Sequence, residues 1–493
     1  MIILEAIKKC IEHAKSVSAM RCVMLALSLL APLYSAGCGP QLTLMSEAQE
    51  AKIGAQQHDK IVAQHGGIYD SRLVNDYVQN IMQKIAAASG RPDIKFQITV
   101  LDTPVVNAFA LPGGYTYVTR GLLALANSEA EVAGVVGHEI GHVTARHSAQ
   151  RHTAAFGTAV LAGVLGGVAQ AQVPGSADII EDILNMGSGA ALAGYSRNQE
   201  YEADSIGIQT SFRAGYQPTH AANFLASLGR ETAFQSKLSK RDRPLGADWF
   251  ATHPNTEDRV ARARGLATSY ALGRDNLREG RASHLNAIDG LTYGHGAHEG
   301  FVRGQSFIHP NLKVYFEVPK GFSLKNAEKA VTATDADGQA IVFDMRQLEE
   351  TASLETYIRD GWLGDPASGI TSVTVSGYEA ALAQFISREL YYRALVVRGD
   401  NGKIYRFLSR MKADDEGRAL ARVQSSLRLL KRFNASIATP LKINVITVKA
   451  GDTITSLAMD MAVSDHHVER FKLLNGLSLG QSIKVGQRLK TIK

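Results

Sequence analysis

His138, Glu139 and His142 lie in the stretch AEVAGVVGHEIGHVTARHSAQR, residues 130–151. Two histidines four positions apart share one face of a helix. A glutamate beside the first is placed to take a proton from water. Their neighbours Val132, Val135, Val136, Ile140 and Val143 leave little of this helix for solvent. Burying two imidazoles without partners costs roughly 1–3 kcal/mol each. A divalent zinc ion, one per chain, would satisfy both rings, with Glu139 as general base for peptide hydrolysis. The competing reading is a chance match on an ordinary core helix. Against it stand a helix start at Ser128 with Glu131 in a capping box, and Gly137 and Gly141, which let a second backbone approach closely.

A catalytic zinc takes three protein ligands and keeps a fourth position for water. A third histidine six residues after the second, following a glycine, is excluded, because Ala145 and Ser148 occupy those positions. His147 lies five residues past His142 and points elsewhere on the helix. The stretch SRNQEYEADSIGIQTSFRAGY offers Glu200 and Asp204, four apart on one face of a second helix. Like charges at that spacing destabilise a helix by a few tenths of a kcal/mol. The strain is relieved if Glu200 binds the cation and Asp204 accepts a histidine N–H, holding its tautomer. A solvated acidic face paired with Arg197 is the alternative.

These side chains need a scaffold. Helical periodicity covers SEAQEAKIGAQQHDKIVAQHG and SRLVNDYVQNIMQKIAAAS, and IKFQITVLD alternates as a strand. NAFALPGGYTYVTRGLLALA reads as strand, Pro-Gly-Gly turn, strand and helix entry. Asn107, Ala108, Phe109 and Ala110 make a candidate edge strand that could pair with an extended substrate peptide, reading main chain rather than side chains.

Four stretches, NAFALPGGYTYVTRGLL, VVGHEIGHVTARH, SRNQEYEAD and ATHPNTEDRV, together resemble the HtpX and CAAX-prenyl-protease (Ste24-like) family of zinc metallopeptidases, and most closely its soluble periplasmic, BepA-like branch. The resemblance covers roughly residues 45–270. It implies a mainly helical gluzincin-type domain with a small sheet, His138, His142 and Glu200 as metal ligands, and Glu139 as base. It further implies that His253 and Arg259 lie near the metal, stabilising the oxyanion or, for His253, gating the zinc. The small-residue run TAAFGTAVLAGVLGGVAQAQVPG is only weakly hydrophobic and reads as a packed or mobile segment near the cleft.

The chain as a whole has 493 residues, enough for two to four domains, with a net charge of +6. That charge is too mild to suggest a nucleic-acid partner. Cys10, Cys22 and Cys38 are its three cysteines, so the body carries neither disulfides nor a thiolate metal site. Arg21 followed by CVMLALSLLAPLY reads as a signal core, and SAGC resembles a bacterial lipobox, with Ser35 where leucine is usual. Residues 1–38 are therefore expected to be a signal peptide with lipidation at Cys38. Periplasmic localisation on an outer-membrane lipid anchor would follow, with plain cleavage near Gly37 as the alternative.

The expected architecture is α+β and multidomain: a zinc metallopeptidase domain at 39–272, a Gly- and His-rich linker at 273–302, an α+β domain at 303–434 and a last unit at 440–493. The linker includes His295, His298 and Glu299, which no helix holds as a metal cluster. The α+β domain loosely resembles a PsbP-like fold. The last unit, with Gly451-Asp452-Thr453, Asn475 and Gly486-Gln487, resembles a βααβ LysM module, associated with N-acetylglucosamine polymers. Arg470, Lys472, Lys484, Arg488 and Lys490 would suit an anionic wall. The expected function is an envelope endopeptidase acting on unfolded or misassembled proteins, with peptidoglycan as a further partner. An envelope chaperone or adaptor with a latent site, and a zinc hydrolase of peptidoglycan, are the alternatives.

Overall fold

Hydrophobic spacing changes from helical to alternating near residue 300, and the architecture changes with it: helices dominate before that point and antiparallel sheets after it. The computed structural model describes residues 43, 45–151, 153, 194–239, 249, 253–254, 257–327, 330–349, 352–363, 368–387, 390–411, 418–429, 439–478 and 480–493. The expected signal segment with Cys38, and most of the small-residue run that begins at Thr153, lie outside the described residues. Everything below concerns the compact unit made of residues 47–148 and 174–493.

The amino-terminal half opens with α1 (Glu47–Gln64) and α2 (Arg72–Ala88), whose Val74, Val78, Ile81, Met82 and Ile85 form one buried stripe at helical spacing. A three-stranded sheet follows. Strand β1 (Gln97–Leu101) runs parallel to β3 (Tyr115–Thr119), and β3 pairs antiparallel with β2 (Ala108–Leu111). The order β1-β3-β2 leaves β2, with Ala108, Phe109 and Ala110, at an edge. Then come α3 (Arg120–Leu125), α4 (Glu129–Thr144), α5 (Arg197–Arg213), α6 (Thr219–Ser239), α7 (Glu257–Ala271) and α8 (Arg281–Ile288). Among the described residues no helix is long and apolar enough to cross a membrane.

Helix α4 is buried from Glu129 through His142, as its composition demands. It crosses α5 with backbone against backbone: a Cβ on Gly137 would stand 2.8 Å from the Gly207 carbonyl oxygen, and one on Gly141 2.8 Å from that of Ala203. Side chains there would force the helices apart. Ser128 caps α4 by accepting from the Glu131 N–H. The expected capping box is not closed, because the Glu131 carboxylate accepts from the Asn127 N–H, one residue further back, at 2.7 Å.

The stretch 273–302, expected as a linker, is instead part of the amino-terminal core. Its α8 buries His284, Leu285, Ala287 and Ile288. The carbonyls of Glu279 and Gly280 accept from the N–H groups of Ala130 and Glu129, at 3.0 and 3.4 Å, satisfying donors at the start of α4. Glycine content suggested flexibility here, whereas the chain uses it for tight turns at Gly273, Gly280, Gly290 and Gly294, all with positive φ.

The middle region holds β4 (Phe301–Arg303), β5 (Ser306–His309), β6 (Val314–Glu317), β7 (Ser323–Asn326), β8 (Val331–Thr334), β9 (Ala340–Gln347), β10 (Ser368–Val375), β11 (Tyr378–Ser387), β12 (Leu390–Arg398), β13 (Lys403–Met411), α9 (Arg418–Ser426) and β14 (Arg428–Leu429). They form a seven-stranded sheet of order β10-β11-β12-β13-β9-β8-β7 and a four-stranded sheet of order β14-β6-β5-β4. Strand β12 is apolar on both faces: Leu395 and Val397 join Phe316, Phe343 and Phe407 on one side, Ala394 and Val396 join Leu354 and Ile358 on the other. The Asn401-Gly402 turn between β12 and β13 has both residues at positive φ, the geometry a two-residue hairpin loop favours.

Last come β15 (Ile443–Thr447), α10 (Ile454–Met459), α11 (His467–Leu474) and β16 (Arg488–Ile492), with β15 and β16 antiparallel. Phe471, Leu474, Leu489 and Ile492 from this unit share one apolar cluster with Val132, Val136 and Leu123 of the amino-terminal half. Two of the basic residues expected to face an anionic wall are therefore committed elsewhere. Lys490 is fully buried, and Arg470 bonds the Asp465 carboxylate at 2.7 Å while lying over the Phe234 ring.

Candidate metal centre

Four elements converge on one buried point. Helix α4 presents His138, Glu139 and His142; α5 presents Glu200 and Asp204; the segment before α7 presents His253, and α7 itself Arg259. His138 Nε2 lies 3.0 Å from His142 Nε2. The Glu200 carboxylate stands 3.6 Å from His138 Nε2 and 3.4 Å from His142 Nε2. His253 Nδ1 is 3.3 Å from His138 Nε2 and 3.0 Å from Glu200 Oε1. One donor atom from each of these four residues falls within 4.8 Å of all the others.

A cation fits this arrangement. Donors placed 2.0–2.1 Å from a shared tetrahedral zinc stand about 3.4 Å apart, the spacing seen here. Imidazole lone pairs facing one another repel unless something positive lies between them. Among the described residues His253 Nε2 and both Glu139 oxygens are buried without a hydrogen-bond partner, a costly state that a bound cation and its water would relieve. A nitrogen-and-carboxylate donor set suits zinc or a neighbouring divalent metal.

The surrounding groups hold these donors in place. Asp204 Oδ1 accepts from His138 Nδ1 at 2.9 Å, which turns the Nε2 lone pair of that ring toward the centre. Arg259 grips Asp204 through Nε at 2.6 Å and Nη2 at 2.9 Å, and pairs with Glu200 through Nη1. Burial works against charge on every member, and specific partners decide the outcome. It pushes the Glu139 carboxyl up and drives the His142 imidazole well down. On Glu200 burial is outweighed by its charge interaction with His253 and by hydrogen bonds from His142 and His253, so the carboxyl is held far below its usual range. Asp204 is likewise lowered against its burial by Arg259, and His138 raised against its own by Asp204.

Three neighbours escape the reading of spacing alone. His147 was expected to point away; instead α4 stops, Arg146 takes φ +58°, and the chain turns His147 back until its Nδ1 lies 2.8 Å from His142 Nδ1. Its other nitrogen approaches Glu202 at 3.3 Å. Tyr195 stacks on His142 with ring centres 3.7 Å apart, and Trp249 on His253 at 4.2 Å. No local pattern marks either aromatic. The backbone N–H of Trp249 donates to the Val106 carbonyl, 3.3 Å away, just ahead of Asn107 and β2. Helix α4 packs against β2, so Ala108, Phe109 and Ala110 lie on the element flanking the helix of His138 and His142, with Asn107 just before it. His295, His298 and Glu299 belong to a separate ion-pair group with Asp102 and Arg120.

Residues 72–267 match the model of peptidase family M48, and residues 446–491 match that of the LysM domain. The chain is 32% identical over 206 residues to a putative beta-barrel assembly-enhancing protease of Vibrio cholerae, covering 41% of each chain. It is 33% identical over 184 residues to the mitochondrial metalloendopeptidase OMA1 of Schizosaccharomyces pombe, covering 37% of this chain and 50% of that one. The corresponding figures for OMA1 of Arabidopsis thaliana are 36% over 214 residues, 42% and 40%. The chain thus spans half or less of the length of these curated relatives. A solution structure of cyanobacterial PsbP from Synechocystis sp. PCC 6803 covers 24% of the chain at 16% identity with a TM-score of 0.20, too slight a likeness to bear on any part of it.

Proposed function

We propose that this chain, an M48 metallopeptidase domain at residues 72–267 joined to a LysM domain at residues 446–491, is a zinc-dependent endopeptidase of the bacterial cell envelope that cuts unfolded or misassembled proteins. The observation that carries the reading is the buried quartet of donor atoms with the Glu139 carboxylate beside it. His138, His142 and Glu200 would hold the ion. Zinc in such a site supplies Lewis acidity, enough to bring the pKa of water down to about 7 and to polarise a peptide carbonyl. Glu139 takes the proton of the attacking water and passes it to the leaving amine. Asp204 and Arg259 position the donors: Arg259 is committed to two carboxylates, so its part is to hold them, and the oxyanion is left to His253. Strand β2 aligns an extended peptide by main-chain pairing, which suits substrates of varied sequence.

The likeness to a beta-barrel assembly-enhancing protease and the LysM domain both support an envelope setting. In this reading Cys38 carries a lipid anchor, the substrates are envelope proteins, and peptidoglycan is a second partner through the exposed loops of the LysM domain.

One observation favours a latent variant of the same function. His253 completes a set of four protein donors, whereas a working zinc site keeps one position open. The Trp249 hydrogen bond to Val106 also occupies backbone beside the edge strand. His253 and Trp249 would then withdraw together before substrate enters.

Purified protein incubated with casein and with peptidoglycan sacculi, beside Glu139→Gln, tests the proposal. Casein cleavage abolished by the substitution supports the peptidase; release of wall fragments would replace it with a peptidoglycan hydrolase. Metal analysis should find one zinc per chain, lost in Glu200→Ala.

A further inference from the structure

Lys490 lies in the last strand of the chain, 0% exposed, and its ammonium group serves the other end of the molecule. It donates to the carbonyl oxygens of Ala124, Leu125 and Ala126 at 2.7, 3.2 and 2.6 Å. These are the terminal carbonyls of α3, left without helical partners and favourable for a cation. The peptide unit joining Ala126 to Asn127 is then held from both sides. Its oxygen accepts from Lys490, while its N–H donates to the buried Glu131 carboxylate at 2.7 Å. A peptide unit bonded on both sides is polarised, and each bond strengthens the other.

Glu131 belongs to the first turn of α4, and His138 lies seven residues on, two turns and about 10 Å along the same face. Gly137, between them, and Gly141, just beyond His138, bring α4 against Gly207 and Ala203 of α5, and Ser211 Oγ of α5 donates to the Ala133 carbonyl at 3.2 Å. The amino-terminal end of α4 is anchored by Lys490 with Glu131 and, beside them, by Glu129, which accepts from Tyr216 and pairs with Arg278. The rest of the LysM domain backs this anchor: Asn475 accepts from the Lys490 N–H at 2.7 Å and donates to its carbonyl at 2.8 Å, while Arg281 ties the Asn127 and Arg488 carbonyls together. Burial pushes Glu131 up to about 7 and Lys490 down, consistent with two ionisable groups kept out of water on purpose of packing alone or of position; the geometry decides for position, since three carbonyls and one amide converge on the pair.

We infer that Lys490 is a positioning residue for the metal site, so that the LysM domain is a working part of the peptidase that sets the register of its metal-binding helix. This rests on the reading of His138, His142 and Glu200 as zinc ligands. The test compares Lys490→Met in the full chain with Phe471→Leu, a substitution in the same domain's core that leaves the clamp intact. Zinc affinity is measured by chelator competition, tryptophan emission of the metal-free protein in a Trp362→Phe background reports on Trp249, and casein-peptide hydrolysis is split into kcat and KM. Lys490→Met is expected to weaken zinc binding roughly 10- to 100-fold, to shift Trp249 emission and to lower kcat with KM held within about twofold. Phe471→Leu should lower the melting temperature yet leave affinity and emission unchanged. All readings are taken where circular dichroism matches the parent; if Lys490→Met has no such range, Lys490→Gln, which keeps a donor toward the carbonyls, is read in its place. Equal zinc affinity in the Lys490 variant and the parent, or equal losses in both variants, overturns the inference. A parent chain that binds no zinc and cleaves nothing overturns the peptidase reading itself.

Discussion

At the residue scale the site is a balance between burial and pairing. His138, Glu139, His142, Glu200 and His253 are all nearly inaccessible, and on the first four burial works against charge until a partner offsets the lost water. His253 is the member whose removal tells most. His253 completes a set of four donor atoms, so under the latent variant His253→Ala is expected to raise basal casein turnover, roughly 2- to 10-fold, by freeing the position water needs. A fall in turnover with unchanged zinc content would mean that His253 serves the oxyanion in the resting geometry. Asp204→Asn leaves His138 without its anionic acceptor, and zinc affinity by chelator competition should drop roughly 10- to 100-fold.

At the scale of elements, α4 and α5 matter through their closeness. Gly137→Ala places a methyl group 2.8 Å from the Gly207 carbonyl, too near for either backbone to keep its place. The substitution should cost about 1–3 kcal/mol of stability in denaturant titration and weaken zinc binding with it, because the proposed ligands sit on both helices. The start of α4 carries its own pH dependence. Burial raises the Glu131 carboxyl from an ordinary 4.5 to about 7. A group raised in the folded state adds stability that is full below about 4.5 and is lost as pH climbs through about 7. The melting temperature of the parent should therefore fall over that window relative to Glu131→Gln, and parallel curves for the two proteins would refute the assignment.

At the scale of the whole molecule, residues 74–291 and 443–492 share a core while the middle sheets keep their own. Ending the chain at residue 439 would expose the apolar surface around Leu123 and Val132 and strip α3 of Lys490. Such a truncation is expected to abolish cooperative thermal unfolding of the peptidase region, measured by circular dichroism, rather than merely to remove a glycan-binding appendage.

How much of this could be read from residue order follows from the range of the forces involved. Helix periodicity, the HExxH spacing, the Glu200–Asp204 pair and the alternation of the middle strands are local, set by 3.6- and 2-residue repeats, and they stood in the sequence before any coordinates. The segment 273–302 was misread because glycines that permit flexibility also permit the tight turns it makes. His147 was misread because one left-handed residue, Arg146, ends a helix whose composition would allow it to continue. The stacking of Tyr195 and Trp249, the insertion of Lys490 among the α3 carbonyls and the closure of the donor set by His253 join residues tens to hundreds of positions apart. Those contacts obey no local period. Sequence alone determined which side chains could do the chemistry; only packing in three dimensions decided which of them meet, which are sealed from water, and which distant strand holds them there.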